Sequence, residues 1–191
     1  MSEVVTALAG AVAEPRPRLR IADRGPVGMV TLRADLAEPR VAAAVRAVAG
    51  VEIPGVWSAR FADEGRGAVW MAPDELLILV PYSLAGESAA RLDADLAGLF
   101  ATAVDVSDAR TVLALSGPDV AETLAKGAPM DLSPDAFPPG AARRTHLAEI
   151  AIGLWRRSEA EWEIVTFRSV SRHLFDWLVA SGAAGAEVHA F

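Results

Sequence analysis

The stretch that most constrains this chain is Leu76 to Val80, an unbroken Leu-Leu-Ile-Leu-Val run closed off by Pro73 and Pro81. Five apolar residues between two prolines are too few for a buried helix and fit a strand covered on both faces. Such a strand needs a neighbour on each side and a layer packed over it, so the chain must build a sheet around a real core. The material is present: 52% of the 191 residues are hydrophobic and 23% charged, which excludes intrinsic disorder.

Reactive chemistry is scarce by comparison. There is no cysteine, so disulfides, thiolate nucleophiles, iron–sulfur clusters and thiolate-bound zinc are all excluded. Lys126 is the single lysine, and 25 acids against 18 basic residues give a net charge of −7. That field repels a phosphate backbone and no basic stripe offsets it, so nucleic acid is excluded as a partner. No apolar run approaches the ~20 residues of a membrane-spanning helix. Val4 to Ala13 lacks the basic start of a signal peptide, with Glu3 in its place. It reads as a short N-terminal helix, so residues 1–17 form an arm. No linker long enough to separate independent domains follows, so 18–191 is expected to be a single α+β unit, with two interlocked halves as the alternative, in the cytoplasm.

Along the body, Arg18 to Asp23, Val27 to Arg33, Trp57 to Ala62, Ala68 to Ala72 and Leu76 to Val80 read as strands. Pro39 to Ala49 has helical spacing, with proline suited to the first turn and Gly50 to the stop. Ser83 is expected to cap a helix reaching Phe100, with Leu84, Leu92, Leu96, Leu99 and Phe100 as its apolar stripe. Ala103 to Ser107 and Thr111 to Ser116 follow as strands, then a helix opened by Gly117-Pro118-Asp119 and closed by Gly127. The Pro-rich Met130 to Gly140 must be a loop. Arg144 to Ile152 and Leu154 to Arg157 read as strands with Gly153 a bend, Trp162 to Phe167 as another, and Ser169 as the cap of a last helix. From Leu76 to about Thr145 the order is βαββαβ, that of a ferredoxin-like plait.

Most of the polar motifs read as ordinary surface. Gly65-Arg66-Gly67 is a hairpin turn and no phosphate loop, and no GxSxG elbow occurs. His146, His173 and His189 lack the spacing of metal ligands; His173 with Asp176 reads as a surface pair. Glu159, Glu161 and Glu163 alternate around Trp162 as a solvated strand face. Trp155, Trp162 and Trp177 cluster near Arg156 and Arg157; core packing is the leading reading for each and a partner interface the second. The Pro-fixed loop from Ala128 to Ala142 is of the kind that lines sites.

Several segments together resemble the sarcosine oxidase gamma subunit family. They begin with Trp70-Met71-Ala72-Pro73-Asp74-Glu75 running into the apolar strand, and continue with Asp105-Val106-Ser107-Asp108-Ala109-Arg110 and Leu115-Ser116-Gly117-Pro118-Asp119. Leu124-Ala125-Lys126-Gly127, Phe137-Pro138-Pro139-Gly140 and Leu154-Trp155-Arg156-Arg157 complete the set. That family in turn resembles the folate-binding domain of glycine-cleavage aminomethyltransferases. The resemblance implies an α+β fold of ferredoxin-like βαββαβ elements in an aminomethyltransferase folate-binding-domain-like arrangement. Leu147 to Gly153 holds Glu149 without the transferases' Asp pair, so the implied role is a non-catalytic subunit of heterotetrameric sarcosine oxidase. No catalytic, cofactor-binding or metal residue is then expected on this chain. The alpha, beta and delta subunits are the implied partners, and FAD, FMN, NAD and tetrahydrofolate belong to the whole complex.

Lys126, Asp131, Glu149, Trp155, Arg156 and Arg157 are the candidate interface or folate-proximal residues. The alternative is a free-standing folate-binding or one-carbon transfer protein with a pocket lined by Asp131, Glu149 and Trp155. A scaffold unrelated to amine oxidation is the third reading.

Overall fold

The computed structural model describes residues 4–188, so Glu3 and His189 lie outside it. The chain divides into two units: Val27–Asp108 forms one, and the segments up to Pro26 and from Ala109 onward form the other. In chain order the elements are β1 (Val12–Arg16), β2 (Leu19–Asp23), β3 (Val27–Arg33), α1 (Pro39–Ala49), β4 (Ala59–Phe61) and β5 (Gly67–Ala72). Then come β6 (Glu75–Pro81), α2 (Ala85–Asp95), β7 (Thr102–Asp105), β8 (Arg110–Ser116), α3 (Val120–Ala125), β9 (Ala142–Leu147), β10 (Ile150–Arg156), β11 (Glu161–Phe167) and α4 (Ser171–Ser181).

In the 27–108 unit the strand order is β4-β5-β6-β3-β7. The apolar run becomes β6, flanked by β3 and β5 and buried from Glu75 to Val80, as its composition demands. β3, α1, β5, β6, α2 and β7 form a βαββαβ plait, with β4 added outside β5. Both helices cover one face. Val41, Ala44, Val45 and Val48 of α1 and Ala85, Ala89 and Leu92 of α2 pack on Val30, Leu32, Leu76 and Ile78. α1 starts where the sequence directs: Glu38 accepts the Arg40 N–H and Pro39 fills the first turn. It stops at Gly50, whose φ of 72° lets its N–H reach the Arg46 carbonyl.

The other unit repeats this plan with one change of connectivity. Its order is β1-β2-β8-β11-β10-β9, so β8, α3, β10, β11 and α4 take the places of β3, α1, β5, β6 and α2. The position corresponding to β7 is filled by β2, which precedes the inserted unit; Ile21 pairs with Leu115 and Asp23 with Leu113. α3 and α4 share one face, burying Leu124, Leu174 and Leu178 against Ile21, Leu113, Leu154, Trp162 and Ile164.

Four expectations are corrected. The N-terminal helix over Val4–Ala13 is a turn at residues 7–10 followed by β1, because an exposed alternating segment gains more from pairing with β2. The plait is real but starts at β3, with a permuted second copy; the stretch from Leu76 to Thr145 runs from one unit into the other. The helix after Ser83 begins at Ala85 and ends at Asp95, so Phe100 falls in a loop. Gly153 lies inside β10 opposite Val165, and the bend is instead the hairpin turn at Ala148 and Glu149. Among the described residues no helix is long and apolar enough to cross a membrane.

Candidate functional site

β10 and β11 place Trp155 directly opposite Glu163. Alternation along both strands turns these two away from the helix-covered face, where Leu154, Trp162 and Ile164 lie. Trp155 is fully buried and Glu163 is 5% exposed. The Trp155 Nε1–H donates to Glu163 Oε2 at 2.7 Å, and Arg157 donates to the same oxygen at 3.2 Å. Arg24, just past β2, donates to Oε1 at 2.7 Å. A buried carboxylate is tolerable only with such a set of donors, and here both oxygens are occupied. The cluster ties the end of β2 to β10 and β11 around the buried carboxylate. Glu159 and Glu161 are exposed as expected, whereas Glu163 is the correction to the solvated-face reading.

Arg156 points the other way and is also buried, at 6% exposure. Its guanidinium lies 4.9 Å over the Trp162 ring, and Trp162 stacks on Phe137 with centroids 5.1 Å apart. Arg156 donates to the Phe137 carbonyl at 2.9 Å and to the Glu159 carbonyl and carboxylate at 2.8 Å each. The Gly140 N–H in turn donates to the Arg156 carbonyl at 2.8 Å. Arg156 therefore pins the Pro-rich loop onto the sheet. That loop carries Phe137 into the core.

The remaining candidates sit apart from this cluster. Lys126, after α3, donates to the Ser181 carbonyl at the end of α4 and to the Ala186 carbonyl beyond it. Both acceptors are backbone oxygens, so its charge serves as a helix C-terminal cap. Asp131 is exposed and accepts the Ser133 N–H at 2.8 Å, a hydrogen bond that holds its carboxyl below the usual range. Glu149 is exposed in the β9–β10 turn at φ 69°. Six residue steps of chain, along β10, separate Glu149 from Trp155, roughly 20 Å, so the acid and the aromatic ring do not line one pocket.

Sequence reasoning missed a cleft in the 27–108 unit. Its volume is ≈ 700 Å³, and it opens where β3 ends, α1 begins and the loop after α2 returns to β7. Val41 and Leu99 line its apolar part, Asp35, Glu38 and Asp74 its acidic part, and Phe100 stands at the lip. Phe100 is completely exposed, at 104%. Phe100 reaches the lip because the chain has already left α2 at Asp95 and turns at Gly98, whose φ is 86°. Among the described residues no group of three or more His, Asp or Glu is placed to hold a metal ion.

Comparison with known proteins adds an independent line. A family model described as the sarcosine oxidase gamma subunit family matches residues 33–184. The sarcosine oxidase subunit gamma of an Arthrobacter species is 38% identical over 140 residues, covering 72% of this chain and 67% of that one. The subunit gamma of Corynebacterium sp. (strain P-1) is 40% identical over 116 residues, and this chain spans only 56% of its length. Among solved structures, a chain of heterotetrameric sarcosine oxidase from Corynebacterium sp. U-96, in complex with pyrrole 2-carboxylate, superposes with a TM-score of 0.80. The match is 29% identical and covers 94% of this chain and 91% of that one. The glycine cleavage system aminomethyltransferase T from Bartonella henselae shares the fold at a TM-score of 0.62 and 17% identity, over 86% of this chain and 46% of its own.

Proposed function

Because the chain belongs to the sarcosine oxidase gamma subunit family, we propose that it is the non-catalytic gamma subunit of a heterotetrameric sarcosine oxidase. The reading is carried by the nearly end-to-end superposition, 94% of one chain on 91% of the other, on a chain of such an enzyme. The complex in view demethylates sarcosine oxidatively to glycine, with hydrogen peroxide and either formaldehyde or methylene-tetrahydrofolate as products. Its alpha, beta and delta subunits are the partners. They hold FAD, FMN and NAD, while tetrahydrofolate is handled by the complex as a whole, in the cytoplasm.

A supporting rather than catalytic role agrees with how the conspicuous side chains are used. Trp155, Glu163, Arg24 and Arg157 satisfy one another. Arg156 secures a loop and Lys126 caps a helix.

The test is titration calorimetry of the purified chain with tetrahydrofolate, beside a pull-down of the co-expressed subunits. Absence of saturable heat together with co-purification is the expected result. Micromolar folate binding by a chain that joins no complex would establish a free-standing one-carbon protein instead.

A further inference from the structure

We propose that the cleft of the 27–108 unit receives a segment of a partner subunit that carries an arginine or lysine beside an apolar residue. The inference rests on the assembly role above and adds the surface and the chemistry of the contact. Phe100 is the first observation. The residue is 104% exposed, so its ring contributes nothing to the core of its own unit. Single exposed apolar residues are ordinary, but this one forms the lip of a ≈ 700 Å³ cleft that also exposes part of Leu99.

Charge is the second observation. Asp35, Glu38 and Asp74 face the cleft against one guanidinium, Arg33, which is already bonded to Glu75 at 3.1 Å. Two of the carboxylates are fixed in advance. Asp35 accepts the Ala37 N–H at 3.0 Å and Glu38 the Arg40 N–H at 3.3 Å. A π face beside positioned carboxylates is the complement of a cation on an aliphatic stem, which can stack on the ring while its head meets the acids. Phosphorylated cofactors and polyanionic ligands are repelled by the same rim, whereas a cationic protein segment is drawn to it.

The experiment places p-benzoylphenylalanine at position 100 in the complex co-expressed with the other subunits. Irradiation is expected to join this chain to a peptide of another subunit that contains arginine or lysine. In parallel, Phe100→Ala and Asp74→Lys are each expected to weaken binding to the remaining subunits at least tenfold. The Asp74→Lys loss should shrink as salt is raised. Both side chains are exposed, so thermal midpoints of the isolated variants should match the unaltered chain.

Adducts only within this chain or with a second copy of it, or variants that bind as the unaltered chain does, overturn the cleft assignment while leaving the assembly role standing. An unaltered chain that joins no complex overturns both.

Discussion

Gly117 sits at φ 114°, and a Cβ built there would lie 2.1 Å from the carbonyl oxygen of Arg18. Steric overlap with backbone and a left-handed dihedral act together, so Gly117→Ala is expected to cost about 3 kcal/mol or more. Urea unfolding measures it, and an unchanged midpoint would refute the account of this turn. The glycine was readable as a helix start; its closeness to Arg18 was not, because the contact joins segments far apart in sequence. Glu163 shows the same limit. Its alternation with Glu161 is that of a solvated face, and what buries it productively is Arg24, 139 positions earlier. Trp155→Phe removes the indole donor and leaves Glu163 with its two arginines, for a loss of about 2 kcal/mol on the same assay. Of the six candidates, Trp155 follows the core reading, whereas Arg156, expected at an interface or near folate, is buried beneath the Pro-rich loop; no local pattern could place the Phe100 cleft.

At the scale of elements, α1 is where sequence and structure agree best, whereas α2 stops at Asp95, short of Phe100, and neither Ser83 nor Ser169 caps a helix. Pro39 and Gly50 bound α1 because each satisfies a backbone requirement that is strictly local. Past that end, Glu52 pairs with Arg46 at 2.6 Å, and the hydrogen bond lowers the Glu52 carboxyl from its ordinary value. A depressed carboxyl contributes stability above its unfolded pKa and loses it as pH falls through the folded one. NMR titration should therefore place Glu52 below an ordinary glutamate, with Arg46→Ala or molar salt returning it upward. At the far end of the chain, Lys126 joins α3 to the last carbonyls of α4 and to Ala186, while Glu122 accepts the Val188 N–H at 2.7 Å. Lys126→Met is expected to speed amide exchange in residues 182–188 and leave β8 and β11 protected. Equal protection in both proteins would remove the capping role. Where the chain turned without Gly, Pro or Asn, as at Ala148-Glu149, the sequence carried no mark of it.

For the molecule as a whole, the α+β class and the βαββαβ order were legible and two interlocked halves stood as an open reading, but the point at which the chain divides was not legible. Local patterning tells strands from helices but not which strands pair. The pairing of β2 with β8 closes a sheet around an insertion of a complete plait. That non-local step shifted the expected plait out of register with the real ones. Membership in the gamma subunit family bears on both units, since the family model spans 33–184. The assembly claim is tested most directly by native mass spectrometry of the four subunits expressed together. One copy of this chain per complex is the predicted result, with the complex falling apart when the chain is omitted. An intact oxidase formed from the other three subunits, with this chain left alone in solution, would contradict it.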